Sequence, residues 1–248
     1  MYGMSALTDR VLSLRLPEET IRQQLLEIQQ AVLANSRDIK DPNFDAIHPR
    51  DLRYLFTQYD VRFFDGLCAP ALERGLKFKF SNRMTVRGGI TKRIQEHSGE
   101  VHFEVVIASA MLFDGFREPG QGATVCGLEC AHRLDALQRI FEHELLHLLE
   151  FLCWETSDCA KPRFQEISAR IFLHRAHTHS LLTRRALAAK SEIVRGSLVS
   201  FPFQGRQLRG RVARISKRAT VLVEDPAGPR YTDGKHYEKY SVPISALK

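Results

Sequence analysis

The sequence predicts an α+β fold, in which a helix-rich part with a few strands is followed by a small all-β barrel. Three observations support this prediction. Apolar residues recur at helical spacing over long stretches before residue 181. Shorter runs between those stretches alternate apolar and polar side chains, as strands do. After Gly196, short β-rich runs are separated by Gly and Pro turns at hairpin intervals, which is typical of an SH3-like or OB-like barrel.

Composition excludes several classes of protein. The chain has 248 residues, of which 44% are hydrophobic and 26% are charged, and these are ordinary values for a globular protein. No apolar run approaches the length of a membrane span, and residues 1–10 lack the apolar core of a signal peptide. Five cysteines at irregular spacing do not form a disulfide scaffold. We therefore expect reduced thiols, a cytoplasmic location and no membrane partner.

The net charge of +7 is concentrated at the C-terminal end. Residues 196–248 contain ten Lys and Arg against four Asp and Glu, whereas the rest of the chain is nearly neutral. A concentrated positive charge favours a polyanion partner such as nucleic acid. A solvated basic surface without a partner explains the same composition, so both interpretations stay open. The aromatic residues of this tail would either stack on bases or fill the barrel.

The first elements are helices with recognisable starts. Residues 5–35 predict one or two helices, and the second begins near Leu16-Pro17-Glu18-Glu19, where a proline and two acids suit a first turn. After a loop, His48-Pro49-Arg50-Asp51 opens another helix with an apolar stripe. Asp65-Gly66 ends that helix.

Three strands follow these helices. Residues 76–81 alternate apolar and basic side chains, as an exposed edge strand does. Gly88-Gly89 begins a second strand, where a substrate backbone could approach closely. Residues 101–107 predict a third strand, and we expect its edge to hold an extended substrate by strand addition.

The second half of the chain contains two further helices and the barrel. Residues 132–154 predict a long amphipathic helix that no Gly or Pro interrupts. The residues from Thr156 onward break it, and Pro162 suits the start of the next helix, which runs toward His174. We assign an N-terminal helical segment to residues 1–48, a central domain to 49–183, a helical linker to 184–195 and a basic barrel domain to 196–248.

The long helix carries the most informative motif of the chain, His143-Glu144-Leu145-Leu146-His147. Two histidines four residues apart lie on one face of a helix and can bind one zinc ion. The glutamate after the first histidine can then act as general base toward water. Two incidental histidines in a buried helix are the alternative. Because a mostly buried amphipathic helix is the context that the motif requires, we predict Zn2+ as cofactor.

A hydrolytic zinc site has three protein ligands and one open position, so one ligand remains to be found. We favour Cys159, because it lies in the loop that returns the chain across the long helix and a thiolate is a good zinc ligand. A thiolate offsets part of the zinc charge and would make a milder hydrolase than three histidines. The alternatives that stay open are His174, His177, His179, Glu150 and Asp158.

Together these residues resemble the SprT-like zinc metallopeptidase family. The resemblance covers residues 50–180 and follows the order of the family's motifs. Pro162-Arg163-Phe164 matches a Pro-x-Phe at a helix start, but Cys159-Ala160-Lys161 stands where the family has His-Gly. The other matching segments are Tyr59-Asp60-Val61-Arg62-Phe63-Phe64-Asp65-Gly66, Ser81-Asn82-Arg83-Met84 with Gly88-Gly89 as a first strand pair, residues 105–113, and the motif at 143–147.

The resemblance implies a zincin-like fold, in which a small antiparallel sheet packs on helices and the site lies in the groove between them. It also implies that His143 and His147 bind zinc and that Glu144 is the base. The departure before Pro162 is what raises Cys159 as the third ligand. Some eukaryotic relatives, the Spartan-type proteases, cleave proteins crosslinked to DNA, and a basic tail would suit such a role.

These expectations predict a zinc-dependent metallopeptidase that hydrolyses protein or peptide substrates, with nucleic acid as a candidate partner through residues 196–248. The alternative is a zinc-stabilised, nucleic-acid-associated adaptor with weak or no proteolytic activity. A third hypothesis is a housekeeping peptidase whose barrel only packs against the catalytic domain. Salt-dependent binding of DNA or RNA by the tail would separate the last two.

Overall fold

The α+β class is confirmed by a computed structural model, which describes residues 2–73, 75–116, 122–181, 193–216 and 218–247. The chain divides into two compact units, Met1–Leu181 and Leu182–Lys248. Residues 184–192, most of the predicted linker, lie outside the described residues. All five cysteines are unpaired. Among the described residues, no helix combines the length and the apolar character that a membrane crossing needs.

The N-terminal helices begin where their first residues predict. Two glutamates in the first turn of α2 interact favourably with the positive end of the helix dipole. At the start of α3, the His48 side chain accepts from a backbone N–H, and Asp51 accepts from the N–H of His48. Both predicted helix starts are therefore confirmed. The bounds are Tyr2–Ser13 for α1, Glu18–Asn35 for α2 and Pro49–Phe63 for α3.

Strands β1 (Lys77–Ser81), β2 (Gly89–Gln95) and β3 (Val101–Ala108) form a three-stranded sheet in the order β1-β3-β2. β3 pairs in parallel with β1 and antiparallel with β2. The expectation of an antiparallel sheet with β1 and β2 as a first pair is wrong, because β3 lies between them. The connection at residues 82–88 is too long for a tight hairpin and carries the chain past the position that β3 fills.

β3 is the central strand of this sheet, so residues 101–107 do not offer a free edge. Residues 103–108 are all buried, which means that both faces of the strand are covered. A strand covered on both faces requires a nearly continuous apolar run, as this one has. β1 and β2 lie at the two edges. The edge position predicted for β1 is therefore confirmed. The edge position predicted for residues 101–107 is wrong, and β2 forms that edge of the sheet.

Short elements join the sheet to two longer helices. The predicted helices are present as α6 and α7, whereas the hairpin of β4 and β5 is not predicted from the sequence. The hairpin turns at Cys126 and Gly127, which both have positive φ, as a tight two-residue turn requires. The bounds are Pro70–Glu73 for α4, Ser109–Gly115 for α5, Ala123–Val125 for β4, Leu128–Cys130 for β5, Arg133–Trp154 for α6 and Pro162–Phe172 for α7.

The helix α6 runs through the core of the first unit, and most of its side chains are buried. Aromatic rings fill the space between α3, α6 and α7. The Tyr59 ring lies 5.8 Å from the Phe141 ring and 5.5 Å from the Phe172 ring, measured between centroids. Burial of each large apolar side chain contributes about 1.5–3 kcal/mol. This packing fixes the position of α6 and of the motif that it carries.

A buried ion cluster around Glu142 ties α6 to α3 and to the segment after α7. Glu142 accepts hydrogen bonds from the Tyr59 hydroxyl at 2.6 Å and from the Arg139 guanidinium at 2.9 Å. His174 Nε2 lies 2.8 Å from the same carboxylate. Burial by itself would raise the pKa of Glu142, but Arg139 and His174 hold it below its ordinary value. The cluster therefore contains a carboxylate whose charge is balanced locally.

The second unit is a curved antiparallel sheet with its own core. Phe201 of β6 and Tyr240 of β9 have ring centroids 5.6 Å apart, so the sheet curves enough to bring its outer strands together. No ladder joins β6 to β9 in the part of the chain that the structure describes, and the predicted closed barrel is not confirmed. About five strands were predicted, and these described residues form four. They are β6 (Leu198–Phe203), β7 (Arg206–Ile215), β8 (Ala219–Glu224) and β9 (Tyr237–Val242), paired in that order and followed by a 3-10 helix (Ile244–Ala246).

Candidate metal centre

Two histidines of α6 direct nitrogen atoms at the same position. His143 and His147 are one helical turn apart, and their Nε2 atoms lie 3.2 Å from each other. Two nitrogen ligands of a tetrahedral metal with bonds of ~2.0–2.1 Å would be about 3.3 Å apart. Both imidazole rings also pack against Phe164 of α7, at centroid distances of 4.9 and 4.7 Å. The helix therefore presents the two nitrogens at the spacing that one metal ion needs.

Cys159 adds a third donor from the loop between α6 and α7. The loop turns back directly after α6, because Glu155 adopts a left-handed conformation with φ of 61°. Donor atoms of His143, His147 and Cys159 all lie within 4.8 Å of one another. This group could hold a metal ion, and the donor set favoured from the sequence is thus brought together.

The other residues considered as third ligand have different positions. Glu150 is buried and accepts hydrogen bonds of 2.7 Å from a serine and an arginine. Asp158 accepts from a backbone N–H two residues later at 2.9 Å, as a turn-capping residue does. His174 belongs to the buried ion cluster. His177 and His179 line the pocket but are outside the donor group found among the described residues.

A chain of hydrogen bonds selects the tautomer of His147. Its Nδ1 lies 2.6 Å from the Ser157 hydroxyl, which donates to the Glu150 carboxylate at 2.7 Å. Since the hydroxyl donates to Glu150, it accepts the proton of Nδ1, and Nε2 is left with a free lone pair. Arg163 pairs with the same carboxylate at 2.7 Å. Such partners behind a histidine orient its ring toward a metal.

Burial keeps both histidines in the neutral form that binds metals. It lowers the pKa of His143 to about 3, with a further contribution from His147. Burial also lowers the pKa of His147. The pKa of the Cys159 thiol is raised by its partial burial and by the neighbouring Asp158. A bound cation would reverse that effect, because a coordinating thiol loses its proton.

Glu144 is buried beside the donors and is held by β2. Its Oε2 atom lies 2.8 Å from the Thr91 hydroxyl. A Cβ added to Gly89 would be 2.6 Å from Glu144 Cγ, so this glycine makes room for the glutamate rather than for a substrate backbone. Burial raises the pKa of Glu144 to about 8, against the opposing effects of Thr91 and Arg87. A carboxyl group with such a pKa can accept and return a proton near neutral pH.

The donors open into a cavity of about 620 Å³. Residues 88–91 of β2 and its approach form part of the wall, and His177 and His179 form another part. The segment that carries these two histidines is fastened to the β4-β5 hairpin, since the N–H of Cys126 donates to the carbonyl of Thr178 at 2.8 Å. His177 is exposed and available to a molecule in the cavity, whereas the ring of His179 is hydrogen-bonded to the backbone of Val86.

Four residues that shape this site are not predicted from the sequence. Ser157 carries a signal, because it is a hydroxyl residue in the loop of the favoured third ligand. No local pattern marks the other three residues, because each forms its hydrogen bond with a residue that is distant along the chain. Thr91 bonds to Glu144, Glu142 bonds to Tyr59, and Cys126 bonds to Thr178 in the segment that lines the pocket.

No protein-family model matches this chain, and no curated protein or solved structure is significantly similar to it.

Proposed function

We propose that this protein is a zinc metallopeptidase of the SprT-like type that hydrolyses protein or peptide substrates. The main support is the convergence of His143, His147 and Cys159 within 4.8 Å of one another. Neutral nitrogen donors and one sulfur donor suit zinc, and three protein ligands leave a fourth position for water. Glu144 lines the same cavity, where a general base is needed. The resemblance of residues 50–180 to the family motifs adds to this support.

Glu144 carries the proton transfers in the proposed reaction. Zinc at this site would supply a Lewis acid that polarises a carbonyl oxygen and acidifies water. Glu144 accepts a proton from the attacking water, whose oxygen bonds to the carbonyl carbon. It then returns that proton to the nitrogen that leaves as the peptide bond breaks. The Thr91 hydroxyl holds the carboxylate in place for both transfers.

One of the two pocket histidines suits a second role, binding of the substrate carbonyl oxygen. A neutral imidazole N–H can donate a hydrogen bond to an oxygen on which negative charge develops. Burial lowers the pKa of His179, and its ring donates to the backbone carbonyl of Val86, so the one N–H of the neutral ring is already used. His177 is more exposed and lies closer to solvent. We therefore assign the more exposed His177 to the carbonyl oxygen.

β2 is the strand that we propose for substrate binding. It pairs only with β3 among the described residues, so its other edge is free. Residues 88–91 line the cavity next to Glu144. An extended peptide can add to such an edge through main-chain hydrogen bonds. We propose this edge in place of the one expected at residues 101–107.

Metal content and a single substitution test the proposal. The purified protein should contain one zinc ion per chain by mass spectrometry of the metal, and it should cleave a fluorescently labelled unfolded protein. Glu144→Gln should keep the zinc and lose at least about 100-fold in kcat, the size of a general-base effect. Glu166→Gln, at an exposed glutamate of α7, is the matched control and should keep full activity. Unchanged cleavage by Glu144→Gln, or an active protein without metal, would refute the proposal.

A zinc-stabilised adaptor with little proteolytic activity is the second candidate. The sulfur donor favours it, because a thiolate offsets part of the zinc charge and weakens the polarisation of water. In that case the protein would contain stoichiometric zinc and lose thermal stability when the metal is chelated. It would cleave none of a panel of unfolded proteins, and Glu144→Gln would change neither property.

A further inference from the structure

Among the residues that the structure describes, Arg87 is the only lysine or arginine that lines the metal cavity. It belongs to the connection between β1 and β2, and its side chain is exposed. In that described part of the chain, its guanidinium forms neither a hydrogen bond nor an ion pair. A positive charge without a partner at the wall of a cavity is available to a ligand of opposite charge.

The backbone on both sides of Arg87 is fixed, although its side chain is exposed. The carbonyl of Val86 accepts a hydrogen bond from the His179 ring. The carbonyl of Gly88 accepts from the N–H of Ala108 at 2.8 Å. A Cβ added to Gly88 would lie 3.2 Å from a side chain of α6, so the chain passes closely over that helix. Arg87 therefore extends from a defined position at the cavity wall.

The charge of Arg87 reaches the groups around the metal centre. Burial raises the pKa of Glu144, and Arg87 is one of the groups that oppose this rise. Burial and Asp158 raise the pKa of the Cys159 thiol, and Arg87 again acts in the opposite direction. Charges more than ~10 Å apart are largely screened by salt, so an effect on both groups indicates that the guanidinium lies near them. A substrate that occupies the site would therefore pass close to Arg87.

A different part of the cavity wall carries a negative charge. Asp158 is exposed, lines the cavity and lies next to Cys159 in the loop after α6. Its carboxylate accepts a hydrogen bond from the N–H of Ala160 at 2.9 Å, which orients the side chain. The cavity thus has a positive wall before β2 and a negative wall at the loop. A negatively charged side chain of a substrate is favoured where it faces Arg87 and disfavoured where it faces Asp158.

We propose that Arg87 binds an acidic side chain of the substrate close to the cleaved bond and directs the protein to acidic segments, an assignment that rests on the proposed peptidase function. A guanidinium and a carboxylate can form two parallel hydrogen bonds. A peptide on the free edge of β2 passes Arg87, because the strand begins two residues later, at Gly89. The C-terminal carboxylate of a peptide has the same chemistry. We assign a side chain, because the seven residues of β2 offer an edge for an internal segment.

Peptide binding tests the role of Arg87 without cleavage. Full-length Glu144→Gln protein is titrated into a short, fluorescent, uncharged peptide with an acetylated N-terminus and an amidated C-terminus. In a series of such peptides, a single glutamate, glutamine or lysine is moved from one position to the next. At one or two positions, the glutamate peptide should bind about tenfold more tightly than the glutamine peptide, the size expected of hydrogen bonds between charged groups. Lysine at the same positions should give no gain.

Cleavage of the same peptides by protein with an intact Glu144 gives a second measurement. The glutamate peptide should have a kcat/KM about tenfold above that of the glutamine peptide, mainly through a lower KM, because the contact lies away from the reacting atoms. Arg87→Gln should bring this ratio close to one, and Arg87→Glu should reverse it in favour of lysine. Since the ratio compares two substrates in one variant, any change in the metal or in the base cancels. Arg83→Gln, at an exposed arginine of the same connection outside the cavity lining, is the matched control and should keep the ratio.

The possible outcomes separate this role of Arg87 from the proposed function. Equal binding of the glutamate and glutamine peptides at every position, or a preference that survives Arg87→Gln, would overturn the role. A gain from a free C-terminus, with none from a glutamate side chain, would also overturn it. A preference for glutamate in binding without any cleavage would refute only the proposed function, and cleavage without such a preference would refute only the role of Arg87. The arginine side chains that are changed are exposed, and circular dichroism checks that each variant folds.

Discussion

The two sides of the metal pocket are built in different ways. His143, Glu144 and His147 belong to a long helix that lies in the core and is fastened by the ion cluster at Glu142. On the other side, Cys159 lies in a short loop of exposed and half-buried residues. Folding of the first unit therefore fixes two donors, whereas the third depends on a loop that has few core contacts. Changes on the helix side should affect folding, and changes on the loop side should affect only the metal.

The largest expected effect is that of a change in the ion cluster behind the helix. Glu142→Gln removes the negative charge that balances Arg139 in the core. A buried charge left without its partner costs about 3–5 kcal/mol, so the free energy of unfolding should fall by that amount in urea titrations. Tyr59→Phe is the control, since it removes one hydrogen bond to the same charged carboxylate and should cost about 1.5–3 kcal/mol. Equal losses in the two variants would show that the charge of Glu142 contributes no more to stability than one of its hydrogen bonds.

A substitution in the loop, at Cys159, should have a smaller effect on stability and a larger effect on zinc affinity. Cys159→Ser should change the unfolding free energy of the metal-free protein by about 1 kcal/mol or less, because the side chain is half-buried in a loop. Zinc affinity should fall at least about 100-fold, more than the loss caused by changing a residue behind a ligand. Competition with a chromophoric chelator measures it. Unchanged affinity would exclude Cys159 as a ligand.

Cys159→His sharpens the same comparison. A histidine at this position keeps three donors but leaves the metal with its full charge, since imidazole is neutral. This variant should retain zinc and hydrolyse peptides faster than the wild type at the same metal occupancy. A slower enzyme would indicate that the loop holds a thiolate in a geometry that the longer side chain does not reproduce.

The helix side of the site could be predicted from the sequence, and the reason is local. Apolar periodicity around residues 143–147 defines the buried helix, and the spacing of the two histidines defines their shared face. Cys159 was found from the break after the helix together with its donor chemistry. The free edge lies at β2 rather than at residues 101–107, and the apolar run at residues 105–108 is itself a signal for a central strand.

What the sequence does not reveal depends on contacts between distant residues. Glu142 lies in the middle of an apolar helix, and only the fold brings Tyr59 and His174 to its carboxylate. The order of the three strands likewise follows from where β3 inserts, which no local pattern in β1 or β2 encodes. In the second unit, Arg211 and Arg214 of β7 lie on one face because of a bulge that is visible only in the strand register.

The smallest expected effect concerns Thr91, which joins the helix side of the pocket to β2. Thr91→Val keeps the shape of the side chain and removes the hydroxyl next to Glu144 Oε2. Because that hydroxyl lowers the pKa of Glu144, its loss should raise the pKa further above the ordinary value. The acid limb of the kcat/KM profile should then move to higher pH, and activity near pH 7 should fall about tenfold for each pKa unit. Zinc content should not change. Thr57→Val, at an exposed threonine of α3, controls for loss of a hydroxyl and should leave the profile in place. If Thr91→Val lowers activity at every pH without moving the limb, β2 positions the glutamate by packing alone and does not set its pKa. Glu144 would then resemble the two histidines, whose positions are fixed by the packing of the helix.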